Sequence, residues 1–302
     1  MTQIPLPTTN RNAATGLALM ATAMLVIPIV DAIAKHLAAT IPPVEVAWLR
    51  FVVSAALLVP FMIWHSGFAA FRLPELHLHF LRGAGIAGAT AFFFAALEFM
   101  PIANVAAIFF VEPLILTIFS AIFLGESIGW RRLAAVMVGF GGAMLIIRPS
   151  FAEVGTTALL PLGAAVCFAG YMTITKRLSN AADPWTLQAL ANLSGFIVLG
   201  VVVLAHSPTR DAFAIPAPLE AVQVLIIGLV AIACHTMIIF ALRLVSAAVV
   251  APFQYLEIIG ATFWGYVFFS DFPDALTWLG IAIIVGSGIF IFYREQRAEV
   301  SE

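Results

Sequence analysis

Eight side chains able to carry charge or strong hydrogen bonds lie deep within apolar stretches: Asp31, Arg50, Glu112, Tyr171, Gln188, Asn192, His235 and Glu257. The run FFVEPLILTIFSAIFLGE from Phe109 to Glu126 shows the problem, with Glu112 inside a helix-like apolar segment and Pro113 directly after it. An ionised group at the centre of a bilayer costs ~2.5–3.5 kcal/mol on insertion scales, so such groups face a protein interior or a wet cavity. Carboxylates there suit an amine or another cationic group, and an arginine suits a carboxylate. A histidine beside a carboxylate is a means of passing protons.

The spacing adds information. A constant shift of 145 residues places Glu112 on Glu257, Thr117 on Thr262, Phe123 on Phe268 and Glu126 on Asp271. The same shift pairs Gly83 with Gly228 and Gly141 with Gly286, and a shift of 141 pairs Lys35 with Lys176 and Pro43 with Pro184. Charges are few in this chain, so two acidic coincidences in one ungapped alignment point to an internal repeat. By distance from the helix ends, Asp31, Arg50 and Glu112 form one layer, in which Arg50 can bridge to Glu112 or Asp31. Glu257, His235, Tyr171, Gln188 and Asn192 form a mirrored layer, in which His235 can bond Glu257. Pro113 frees the carbonyl of residue 109 from its helical bond. The mirrored position is Ile258, so the two sites are related but not equivalent.

The elements that must hold these residues are membrane helices. The chain of 302 residues is 63% hydrophobic and 10% charged, with mean hydropathy +1.07, too apolar for a soluble domain of this length. Ten spans are read at 15–37, 43–64, 79–99, 104–124, 131–148, 157–178, 184–205, 219–242, 247–269 and 275–293. Polar tails cover 1–14 and 294–302, and a linker at 149–156 divides two five-helix repeats, 15–148 and 157–293. Five is odd, so the repeats must be inserted in opposite orientation around a central cavity. With both termini cytoplasmic, ten of the fourteen lysines and arginines fall at inner ends, Arg82 among them. The inner (plasma) membrane is therefore the expected location. Trp64, Trp130 and Trp185 fall near one interface, Trp48, Trp264 and Trp278 near the other.

Other features read as packing. GFGG at 139–142 and GSG at 286–288 let helices approach closely. Neither follows a strand or carries a nucleotide-loop lysine. Phe92–Phe94, Phe109 and Phe110 are read as lipid-facing more readily than cavity-lining. Cys167 and Cys234 are buried thiols. Glu126 and Asp271 orient loops or pair with a basic residue. Basic clusters go no further than pairs, which gives no indication of nucleic-acid binding.

WLRF at 48–51, RG at 82–83, FMPIANVAAIFFVEPLILTIFSAIFLGE at 99–126 and GGAMLII at 141–147 resemble the first EamA domain of the drug/metabolite transporter superfamily. The second half resembles a second EamA domain more loosely, with Asp271 for the terminal glutamate. The resemblance implies ten helices in two inverted repeats and movement of small organic solutes by alternating access. The expected function is export of an amino acid, amine or related amphipathic metabolite in exchange for protons, by a monomer or homodimer embedded in lipid, with no cofactor and no metal. Import of a vitamin or nucleoside-like metabolite is the alternative. An intramembrane enzyme or a passive channel is the rival from another class, and no HExxH or recognisable nucleophile motif supports the enzyme.

Overall fold

The computed structural model describes residues 10–68, 71, 73–124, 130–178, 183–206, 216–244 and 253–299. Glu126, the loop at 207–215 and the start of the ninth expected span lie outside them. The described residues are helical, without strands: α1 Asn10–Val26, α2 Pro28–Leu37, α3 Pro43–Ser66, α4 Leu76–Leu97, α5 Ile102–Phe109, α6 Glu112–Leu124 and α7 Trp130–Val154. A short 3-10 turn, Gly155–Leu159, leads into α8 Leu160–Leu178. Then follow α9 Pro184–His206, α10 Pro218–Leu244, α11 Leu256–Phe269 and α12 Ala275–Glu299. Seven segments are long and apolar enough to cross a membrane, and Leu133–Ile147, Leu256–Phe269 and Ala275–Phe290 are shorter apolar helices. The outward surface is greasy: Leu204 is 71% exposed and Leu219 70% exposed. Lipid solvates such a surface; water does not.

Three expected spans are irregular. The first breaks at Ile27, because Pro28 has no N–H to continue the ladder. The fourth breaks at Phe110 and Val111, before Pro113 in the first turn of α6. The ninth breaks at Tyr255 although no proline stands at 258, and the Ile258 N–H closes a tight turn on Tyr255 O at 3.2 Å. The fifth expected span also runs longer than its apolar core, to Val154.

The halves pack reciprocally. The α4 helix lies on α8 and α9, and in the swapped arrangement α10 lies on α1 and α3; α6 on α8 is answered by α11 on α1. The α3–α9 and α7–α12 pairs join equivalent helices of the two halves. Glycines set the closeness. A Cβ at Gly83 would collide with Ser194 and come within 2.7 Å of Ala191 O. A Cβ at Gly228 would lie 2.6 Å from Val53 Cβ. Val53 and Ser194 are themselves 141 residues apart. On α7, a Cβ at Gly142 would stand 3.0 Å from Gly280 O. GFGG therefore does the packing read from the sequence, meeting Gly280 through Gly142 and Ser287 of GSG through Gly139, where a Cβ would lie 3.3 Å from Ser287 Cβ.

Contacts at the two ends identify which loops lie together. One end gathers Lys35 with Asp271 (2.7 Å) and Thr40 with Glu220 (2.7 Å). The other gathers Glu75 with Arg177 (2.6 Å) and Ser66 with Asp183 (3.3 Å). The Asp271 ion pair is the role read for that residue. Trp64 and Trp130 are exposed, as interface residues should be. Trp48 and Trp264 instead donate to Phe196 O (3.1 Å) and Leu25 O (3.2 Å), pinning one half to the other.

Asp183 caps α9 by accepting from the N–H groups of Trp185 (3.0 Å) and Thr186 (3.1 Å). Burial alone would push its carboxyl up, but these bonds, with the Thr186 and Ser66 hydroxyls, hold it below the ordinary value. A depressed carboxyl stabilises the fold above the ordinary carboxylate range and loses that contribution as pH falls. Asp183→Ala should therefore cost about 1 kcal/mol at neutral pH, read by thermal unfolding in detergent, with the difference from wild type shrinking toward about pH 3. In the same assay Gly83→Ala should cost about 1–3 kcal/mol through overpacking. Gly141→Ala, whose Cβ meets nothing within 4 Å, should change little.

Candidate functional site

The three helix breaks share a feature that the linear sequence does not display. Each is followed by a helix whose first turn carries an acid: Asp31 in α2, Glu112 in α6 and Glu257 in α11. Four N–H groups at a helix start lack intrahelical partners, and the helix dipole places partial positive charge there. A carboxylate at that position gains roughly 0.3–1 kcal/mol, and up to ~2 kcal/mol where partly buried. The breaks thus create sites for negative charge inside an apolar bundle. The acids converge: Glu257 lies within electrostatic reach of both Asp31 and Glu112, and Asp31 of Arg50. Asp31 is 8% exposed and Glu112 6%. Glu112 Oε1 is buried without a hydrogen-bond partner among the described residues.

Arg50, on α3, is the cation at this centre. Its Nη1 donates to Thr90 Oγ1 at 2.6 Å, and the Thr90 hydroxyl donates to Ile86 O at 2.9 Å. Its Nη2 stands 3.4 Å from His235 Nε2 on α10. A guanidinium only donates, so this contact makes Nε2 the acceptor and puts the imidazole proton on Nδ1. Arg50 forms no ion pair with Asp31 or Glu112, and His235 bonds Arg50 instead of Glu257. The two expected layers therefore meet in one central cluster. The reason is the close α3–α10 and α1–α11 packing, which brings both sets to one depth.

Tyr171, Gln188 and Asn192 stand apart from that cluster to different degrees. Tyr171 is within electrostatic reach of Arg50, and its ring lies 5.2 Å from the Arg82 guanidinium. Gln188 turns its side chain to a small crevice lined by Pro184, Trp185 and Thr236, where its Oε1 is buried without a partner among the described residues. Asn192 is bound to the backbone of its own helix, at Gln188 O, 2.9 Å away. Arg82, read as a positive charge at a helix end, is 3% exposed and donates to Leu187 O at 2.9 Å. The guanidinium itself is buried, its Nε unpaired among the described residues, and α4 begins before it, at Leu76.

Aromatic rings close one side. Phe93, Phe109, Phe168 and Tyr171 are linked through neighbouring rings 5.5 Å apart, and Phe110 meets Tyr255 at the same separation. Phe92 faces outward, but Phe93, Phe94 and Phe110 are buried, so this cluster turns inward. Tyr255 lies within electrostatic reach of Glu112, and its ring occupies the space that a Cβ at Gly288 would need. Sequence reasoning passed over Thr90 and Tyr255. A hydroxyl one layer from a buried arginine was the available signal for Thr90, and the shift that places Phe110 on Tyr255 was the signal for the other.

Thr90 holds Arg50 by the shorter of its two hydrogen-bond contacts, 2.6 Å against 3.4 Å to His235. Replacing the hydroxyl by a methyl of like size leaves a buried charged donor unpaired, at about 1–3 kcal/mol. Thr90→Val should lower the unfolding temperature accordingly in detergent, and Thr90→Ser should restore it.

Comparisons with known proteins bear on the architecture and on the broad activity. The chain is 26% identical over 268 residues to the S-adenosylmethionine uptake transporter of Rickettsia bellii, covering 89% of this chain and 90% of that protein. It is 30% identical over 238 residues to the riboflavin transporter of Rhizobium johnstonii, covering 77% and 76%. It is 29% identical over 279 residues to the pseudopaline exporter CntI of Pseudomonas aeruginosa, covering 89% and 93%. A solved crystal structure shares the fold, with a TM-score of 0.63 and 21% identity over 95% of this chain and 99% of that one. The family model matches twice, at residues 14–148 and 155–293. The chain is a multi-pass membrane protein and belongs to the EamA-like transporter family.

Proposed function

We propose that this protein is a secondary transporter of a small organic solute bearing a cationic group and a carboxylate, and not an enzyme. Its ten spans would form two inverted five-helix repeats, with both termini on the cytoplasmic side of the inner (plasma) membrane. The central cluster would be the site reached alternately from either face. One observation carries this reading: three acids at the starts of three interrupted helices lie within electrostatic reach of one another, with Arg50 within reach of Asp31. Interrupted helices whose termini meet near the midplane are how transporters bind charged solutes without exposing backbone to lipid. The reciprocal packing of Gly83 on Ser194 and Gly228 on Val53 supports the repeat.

The site holds three carboxyl groups against one arginine, which is within reach of Asp31 and engaged with His235. Unpaired charge in a low-dielectric interior is costly. A substrate cation at Glu112 and Glu257, or a proton in its place, answers the surplus. Exchange of the two would couple export to protons. Arg50 would take the substrate carboxylate. The aromatic wall favours a second version of the same reading, in which the solute also carries a flat ring. Import is the alternative direction, and relatives named for uptake as well as export fit either one.

The test is a thermal-stability screen of purified protein with S-adenosylmethionine, riboflavin, amino acids and amines. A cationic amphipathic hit at ~100 times its Kd should add about 2.7 kcal/mol of apparent stability. That gain should disappear in Glu112→Gln and Glu257→Gln. Transport of the hit by both variants at the parental rate in proteoliposomes would sink the site assignment. Counterflow of labelled solute separates a carrier from a pore.

A further inference from the structure

Two contacts near opposite ends of the bundle correspond under the internal repeat. Glu75, at the start of α4, pairs with Arg177 at the end of α8, at 2.6 Å. Glu220, in the first turn of α10, accepts from Thr40 Oγ1 just beyond α2, at 2.7 Å, with His36 close enough to add attraction. Glu75 and Glu220 are related by the 145-residue shift that joins Glu112 to Glu257. His36 and Arg177 are related by the 141-residue shift that joins Lys35 to Lys176. The helices tied are equivalent as well: α4 to α8 at one end, α10 to the first span at the other.

Both acids are held for the task. Glu75 adopts a left-handed backbone, φ 55°, which costs a non-glycine residue roughly 1–2 kcal/mol and persists only where surroundings enforce it. Glu220 also accepts from the Ala217 N–H at 2.7 Å, so its side chain is already oriented when Thr40 arrives. The two ties differ in strength of anchorage. Both ties stand exposed, where screening weakens the Glu75–Arg177 ion pair, and among the described residues that pair has no second ion pair beside it as the Glu220 end does. The Glu220 end is reinforced by Lys35–Asp271, with the Lys35 ammonium 4.7 Å from the Phe269 ring centroid.

We infer that Glu75–Arg177 and Glu220–Thr40 are mirrored latches, each clamping one mouth of the central site, and that the Glu220 mouth is the more firmly closed. The inference rests on the alternating-access reading. With both ties made, this structure has both mouths held. Opening at the Glu75 end separates α4 from α8, and opening at the Glu220 end separates α10 from the first span.

Each seam contains a native thiol. Cys167 of α8 faces α4, its Sγ 3.2 Å from where a Gly88 Cβ would be. Cys234 of α10 packs with Met20 and Ala23 of α1 and is 1% exposed. Single-cysteine proteins, Cys234→Ser and Cys167→Ser, report the two seams separately through their reaction rates with a charged, membrane-impermeant methanethiosulfonate in proteoliposomes. Breaking an exposed ion pair shifts a two-state equilibrium by roughly two- to fivefold. Glu75→Gln should raise the Cys167 rate by that factor and leave Cys234 unchanged. Glu220→Gln should raise the Cys234 rate less, and Glu220→Gln with Asp271→Asn should raise it more. The charge swap Glu75→Arg with Arg177→Glu should return the Cys167 rate to the parental value. Unchanged rates, rates that rise equally at both thiols, or a swap that fails to restore would overturn the latches. Labelling needs no substrate, so that failure is separate from a failure to find a transported solute.

Discussion

Negative charge in an apolar bundle is the constraint to which the rest of the molecule answers. Lipid offers Asp31, Glu112 and Glu257 no solvation, so the backbone must supply it. It does so by stopping three helices at that depth and starting three new ones, each with unbonded N–H groups and a positive dipole end. Interrupting a helix inside a membrane exposes carbonyls as well as amides, and those must be paired within protein. Close packing follows from that need. Gly83, Gly142 and Gly280 draw neighbouring helices to backbone contact, and Gly228 lets Val53 pack closely, so that protein rather than lipid fills the bundle.

Arg50 lies within electrostatic reach of Asp31 without joining it, Glu112 or Glu257 in an ion pair. Thr90 on one side and His235 on the other fix the guanidinium by hydrogen bonds from different helices. A direct salt bridge would neutralise both partners and leave little for a ligand to gain. Held without an ion pair, the guanidinium stays a separate charged group beside Asp31. The aromatic chain from Phe93 to Tyr171 and the Phe110–Tyr255 contact then supply an apolar wall beside the charged one.

Much of this was legible in the sequence. The apolar runs located the helices, and the 145-residue shift singled out Glu112 and Glu257 because acids are too rare here to align idly. Pro113 and Pro28 announce two of the three breaks, since proline removes a donor. The third, at Tyr255, carries no such marker; tertiary packing decides it. Distances along separate helices placed His235 beside Glu257, but lateral order is a matter of which helix faces which, and periodicity does not encode that. Arg82 shows the same limit: hydropathy scores its charge but does not reveal that packing leaves it 3% exposed over Tyr171.

The hydrogen bond from Trp264 to Leu25 O has a consequence for descent. Leu25 sits beside the first break, where Pro28 interrupts the ladder, and its carbonyl finds a donor in the other half of the chain. A gene encoding one repeat alone would make a product whose hinge lacks this donor from the other half. Such a product would meet that donor only in a second copy. Fusion of two such copies turns a chance encounter into a covalent certainty. From then on each copy is free to drift, provided it keeps what its sibling lacks.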